Sequence, residues 1–154
     1  MKTLISLILS LSMALSGFFG SLFANPVEFV TKDEFEIFTA VNKVRKDAGV
    51  QTLELDEELC RLAGIRANEQ SELKGHSRLD GSRFYTVFKE NGYEFKSCGE
   101  NIIIGSSFDV ERIIDSWYQS ESHRKNMCDN RWIKSGIGIY ETEEKIYIVQ
   151  LFAC

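Results

Sequence analysis

Apolar residues recur at three- and four-residue intervals in four blocks between residues 31 and 120, and they alternate or run together in three blocks after residue 97. The first spacing predicts helices and the second strands. Thr31-Lys32-Asp33-Glu34 is a capping box, with Val30 and Phe35 placed as a hydrophobic staple; Phe35, Phe38, Val41 and Val44 then share a helical face until Gly49 ends it. Asp56 is placed to cap a second helix on Leu59, Leu62, Ala63, Ala67 and Gln70, which stops near Gly75. Asp80-Gly81-Ser82 turns the chain into a short helix with Phe84, Val87 and Phe88, closed by Asn91-Gly92. Ser106 or Ser107 is placed to cap a fourth helix, on which Val110, Ile113, Ile114 and Trp117 share a side. Residues 98–104 supply a buried strand through Ile102, Ile103 and Ile104, and residues 136–140 and 146–152 flank a polar turn as a hairpin. The sum is an α+β domain, helices packed on a small antiparallel sheet.

Ahead of these blocks, residues 1–24 read as a secretory signal: Lys2, an apolar run from Leu4 to Leu15, then small residues from Gly17 to a cut after Ala24. Residues 4–24 carry no charge, so an uncut membrane anchor is the alternative; either reading puts residues 25–154 outside as one domain. Eighteen Lys and Arg against 23 Asp and Glu leave a net charge of −5, which argues against nucleic acid as a partner. Cys60, Cys98, Cys128 and Cys154 in an exported chain suggest two disulfides, with Cys98–Cys128 and Cys60–Cys154 the preferred pairing and reduced core thiols the alternative. No C-x-x-C pair supports a zinc cluster.

The chemistry-bearing candidates are the chain's two histidines, His76 and His123, and Glu100 between them. Singly, each histidine reads as a surface residue. Glu100 differs, because it directly precedes an apolar run, and a carboxylate there must be paired or open into a cleft. No local motif joins the three, so the fold would have to assemble any shared site.

Asn42-Lys43-Val44-Arg45, Arg66-Ala67, His76-Ser77-Arg78, Gly99-Glu100-Asn101-Ile102, Trp117 through Ser120, His123-Arg124-Lys125-Asn126, Gly136-Ile137-Gly138 and Val149-Gln150-Leu151-Phe152 together resemble the CAP superfamily, the cysteine-rich secretory, antigen 5 and pathogenesis-related proteins. The likeness is to its compact bacterial secreted members and runs from about Glu34 to Phe152. It implies a three-layer α-β-α sandwich with a cleft lined by two histidines and two acids. By position these are His76, His123 and Glu100, while Ser120 stands where the second acid is expected, leaving Glu121 to swing in. Such a site would hold Zn²⁺ or another divalent cation weakly on His76 and His123, with Glu100 reaching it directly or through water, and no organic cofactor.

The resemblance implies a monomeric binding module for a lipid, glycan or peptide of the envelope or extracellular space, meeting a membrane only through an uncleaved signal segment. The alternative is a metal-dependent hydrolase with Glu100 as general base. A third reading uses Cys98 as nucleophile with His123 and Asn126. Ser120 is expected to cap the helix of His123, Asn101 and Arg124 to brace the loops around Glu100 and His123, and Trp117 to sit in the core. Arg124, Lys125, Arg131 and Lys134 form a local basic cluster best read as a solvated face, and Gly136 and Gly138 let a strand pass close to a helix.

Overall fold

The computed structural model describes residues 30–154, so the signal segment lies outside the described residues. Helix α1, Lys32–Asp47, begins with the capping box in place: the Glu34 backbone N–H donates to Thr31 Oγ1 at 3.2 Å and the Thr31 N–H to the Glu34 carboxylate at 2.8 Å. A cap of this kind is worth ~1 kcal/mol. The buried stripe is Ile37, Phe38, Val41 and Arg45, whereas Phe35 is 53% exposed. At 100° per residue Phe35 stands roughly a quarter-turn or more away from the centre of that stripe. A charged residue, Arg45, lies at the heart of the stripe. Its Nε donates to the Gln51 carbonyl at 2.8 Å and its Nη1 to those of Met127 and Asp129 at 2.6 and 3.1 Å. Gly49, at φ 71°, then turns the chain out of the helix.

Strand β1 is only Glu54–Leu55, helix α2 runs Glu57–Glu72 from an Asp56 cap, and helix α3 is Thr86–Glu90, leaving Phe84 in the loop before it. Strand β2 follows at Cys98–Gly105. Helix α4, Val110–Gln119, is capped by Asp109, which accepts from the Arg112 N–H at 3.0 Å, rather than by Ser106 or Ser107. Helix α5, Glu121–Met127, and strands β3, Lys134–Glu141, and β4, Ile146–Ala153, complete the chain.

The sheet order is β1-β3-β4-β2. β4 pairs antiparallel with both β3 and β2, but β1 pairs parallel with β3, so the sheet is mixed rather than purely antiparallel. Every residue of β4 is buried, and its side chains alternate between the two faces. Ile148 and Phe152 join Ile37, Phe38, Val41, Ile113, Trp117 and Trp132 under α1 and α4. Val149, Leu151 and Ala153 join Leu59, Leu62, Ala63, Ala67 and Phe88 under α2 and α3. This is the three-layer sandwich. α2 lies hard against β3 because Gly136 and Gly138 carry no Cβ: one built there would stand 2.2 Å from the Cys60 nitrogen and 2.1 Å from the Gly64 nitrogen.

All four cysteines are free thiols. The preferred pairing does not suit the fold, because Cys98 packs with the α2 face and Cys128 with the α1 face, while Cys60 rides on α2 and Cys154 packs with the α1 face. Each of those bonds would have to cross the sheet.

Candidate functional site

The site is built from α2 outward. Arg66 lies on the stripe that also holds Leu59, Leu62, Ala63 and Ala67, and it is fully buried. A guanidinium in such a place must be surrounded by acceptors. Nε donates to Glu100 Oε1 at 2.8 Å, Nη1 pairs with Glu69, and Nη2 donates to the Gly75 carbonyl at 3.0 Å. Gln70 also holds Gly75, donating to its carbonyl at 2.7 Å and accepting from its N–H at 2.8 Å. The loop leaving α2 is therefore pinned from below just before His76.

Glu100 enters from β2 with its side chain wholly buried. Its Oε2 meets His76 Nδ1 at 2.7 Å. A carboxylate can only accept, so Nδ1 carries the hydrogen and Nε2 turns outward from a ring that is 57% exposed. The chain of charges continues outward: Glu69 takes Arg78 at 2.7 Å, and Arg78 reaches Glu90. Burial pushes the Glu69 carboxyl up, but hydrogen bonds from Arg78 and Arg66 outweigh it and hold the group below the ordinary carboxylate range.

α5 supplies the far wall. Asn101 Nδ2 donates to the His123 carbonyl at 3.1 Å, and Asn126 Nδ2 donates to the Glu100 carbonyl at 3.0 Å and to Asn101 Oδ1 at 3.1 Å. Burial first, and the neighbouring His76 second, hold the His123 imidazole below its usual range. The structure thus gathers His76, Glu100 and His123 into one neighbourhood. A hollow of about 410 Å³ opens beside His76 and Glu100, lined by these two with Arg83, Phe84, Tyr85, Cys98, Gly99 and Asn126; His123 is not part of that lining.

The remaining candidates lie outside that lining. Ser120 ends α4 and precedes α5, but its side chain makes no cap hydrogen bond and instead meets Ser122 Oγ at 3.2 Å. Glu121 is exposed and paired with Lys125 at 2.6 Å, so it does not swing in as the missing acid. Arg124 donates to the Tyr118 carbonyl at 2.6 Å and lies over the Tyr118 ring, bracing the α4–α5 corner. The basic cluster is divided among separate partners, with Lys125 on Glu121, Arg131 on Asp129 and Lys134 on Asp56.

Among the described residues no three His, Cys, Asp or Glu side chains converge to hold a metal ion. Glu100 already has both oxygens engaged and is closed to solvent, so the donor set reduces to two imidazoles; it does not suit a resident zinc site. The same engagement makes Glu100 a positioning group for His76. Cys98 does line the hollow, but burial, then Glu100, pushes its thiol up to about 11, and Asn126 is spent on backbone and Asn101. The Cys-His-Asn constellation is not assembled.

Sequence reasoning assigns no role to Arg66, Glu69 or Arg83. Charged residues on the apolar stripe of α2 were the available signal for the first two. Arg83 is an exposed loop residue that only the fold brings to the hollow.

A second concavity, about 600 Å³, lies between α1 and α4 and is lined by Ala40, Val44, Val110, Ile114 and Tyr118 among others; none of the candidate residues reaches it.

Residues 38–154 match the profile of CAP, the cysteine-rich secretory protein family. The chain belongs to the CAP family. This CAP domain is 28% identical over 116 residues to the Bacillus subtilis (strain 168) protein YkwD, covering 73% of this chain and 44% of YkwD. It therefore spans less than half the length of that relative. Among solved structures, an extracellular SCP-domain protein from Bacillus anthracis superposes with a TM-score of 0.69 at 21% identity, covering 79% of this chain and 40% of that one. An outer surface protein from Borrelia burgdorferi gives 0.70 at 22% identity, covering 80% of this chain and 92% of its own. At these identities the likeness establishes a shared CAP fold, and both neighbours are extracellular or surface proteins by name.

Proposed function

We propose that this CAP protein is exported by its N-terminal signal and acts as a metal-independent binding module, taking a short extended peptide in the hollow beside His76. One observation carries the reading: β2 is an edge strand, and beside the hollow its outward backbone groups are free until two successive carbonyls are taken by side chains. Ser97 and Cys154 exchange hydrogen bonds at 3.1 and 3.4 Å, so in the antiparallel alternation the even-numbered residues of β2 turn outward. The Glu100 carbonyl is then taken by Asn126 and the Ile102 carbonyl by Trp117 Nε1 at 3.2 Å. The Cys98 N–H and carbonyl and the Glu100 N–H take no partner among the described residues, and they border the hollow. An open edge of this kind pairs with peptide backbone.

The test uses the fact that the chain has only two histidines. Long-range ¹⁵N–¹H spectra show two imidazoles, and acetylated tetrapeptide libraries are expected to move the His76 ring, with chelator making no difference. Movement produced by neutral oligosaccharides but not by peptides, or appearing only with added Zn²⁺, would overturn the reading. A lipid guest is expected to choose the apolar α1–α4 concavity, perturbing Ile114 and Tyr118 and leaving His76 still.

A further inference from the structure

We infer that the hollow selects the free carboxyl terminus of a peptide, with Arg83 as the residue that reads it. The inference rests on the peptide-binding reading above and deepens it.

Two independent features point the same way. The first is the length of the open edge. A peptide running along β2 finds free backbone groups at Cys98 and at the Glu100 N–H, and then meets Asn126 on the Glu100 carbonyl and Trp117 on that of Ile102. Asn126 cannot easily withdraw, because it also donates to Asn101 Oδ1, and Trp117 is buried in the core. A strand pairing with this edge must therefore stop after a residue or two. The middle of a chain does not fit such a site, but an end does.

The second feature is charge, which decides which end. Within the hollow the Glu100 carboxylate is answered by Arg66 at 2.8 Å, and the deeper acid Glu69 by Arg66 and Arg78. Arg78 also carries Glu90, so each of these acids has a guanidinium partner. Arg83 stands on the wall with no acidic partner among the described residues, held in place only through its backbone, which bridges to Ser77 and accepts from the Thr86 N–H at 3.0 Å. Arg83 is the guanidinium on this wall without a carboxylate partner among the described residues, which suits a carboxylate guest and not an ammonium. A guanidinium also matches a carboxylate with two parallel hydrogen bonds. Phe84 and Tyr85, with ring centroids 6.0 Å apart and edge to face, leave an apolar wall for the last side chain.

The experiment compares two probes on the purified chain: acetylated tetrapeptide libraries ending in a free acid and the same libraries ending in an amide, each followed by the His76 ring shift. The acid library is expected to bind about tenfold or more tightly than the amide. Arg83→Gln is expected to erase the preference for acid over amide, with Arg83→Lys in between; unchanged His123 resonances and thermal midpoint report intact folding. Equal binding of acid and amide would overturn carboxylate selection while leaving the peptide site standing. An acid preference that survives Arg83→Gln would overturn the assignment to Arg83. If neither library moves His76, the peptide-binding reading fails and takes this inference with it.

Discussion

Replacing Arg66 by Met tests whether the buried charges hold the site together. The substitution keeps a long apolar stem on the α2 stripe but removes the guanidinium that answers Glu100 at 2.8 Å, pairs with Glu69 and donates to the Gly75 carbonyl at 3.0 Å. Breaking a buried ion pair by deleting one partner costs about 3–5 kcal/mol, most of it from stranding the other charge. Glu100 is fully closed to solvent, whereas Glu69 retains 11% exposure and Arg78 as a second partner, so the strain falls on Glu100 and the lower part of that range applies. For a domain of this size that corresponds to roughly 10 °C or more in thermal midpoint. The assay is urea unfolding followed by tryptophan fluorescence, alongside the Arg66→Met/Glu100→Leu double variant. Because the double variant leaves no stranded charge at Glu100, it is expected to lose less than the sum of the single variants by about 1–3 kcal/mol. A loss below about 1 kcal/mol in Arg66→Met, or strict additivity, would refute the claim that this network is a closed ionic unit. The His76 ring should keep its Nδ1–H tautomer in Arg66→Met, where Glu100 still accepts, and lose it in the double variant, which removes the accepting carboxylate.

The Glu69 carboxyl is held below its unfolded value, so its contribution is fully present above about pH 4.5 and disappears as pH falls toward the folded value; Glu69→Gln should flatten that acid limb of the stability curve. His123 is a base with a depressed folded value, so its share is present above about pH 6.5 and lost below it, and NMR titration should place its midpoint under 6.5, rising only in part in His76→Ala because burial remains. Cys60 and Cys98, both pushed up to about 11 chiefly by desolvation, should react slowly with iodoacetamide at pH 8 under reducing conditions, as timed mass spectrometry would show; rapid alkylation of Cys60 would refute its burial. Gly136→Ala and Gly138→Ala each force a methyl to within about 2 Å of α2 backbone, and should cost at least ~3 kcal/mol or abolish folding; a soluble variant with a near-parental melting curve would contradict that packing.

Much of the scaffold is readable from residue order because it rests on local physics. The Thr31–Glu34 box, the α2 stripe and the apolar run of β4 are each written within a dozen or so residues. What escapes is what depends on distant partners. β1 is two residues long, too short for any period, and exists because Glu54 and Leu55 find Lys134 and Ser135. The Asp109 cap loses to Ser106 and Ser107 on paper because all three are capable residues and only the loop's path decides. At the site, His76, Glu100 and His123 were joined by family likeness rather than by spacing, since 24 and 23 residues separate them. Arg66 and Glu69 carried a legible warning: a charge on a buried face needs a partner, and here the partners are Glu100 from another layer and Arg78 from the next loop.

The position of β4 constrains how the molecule comes into being. It is the last element in chain order and the middle rung between β2 and β3, so neither neighbour has a hydrogen-bonding partner on that side, and neither core has its floor, until residues 146–153 arrive. A nascent chain short of that segment holds helices with nothing to close upon. The finished shape is therefore set in one late step, when that strand slots between its two neighbours.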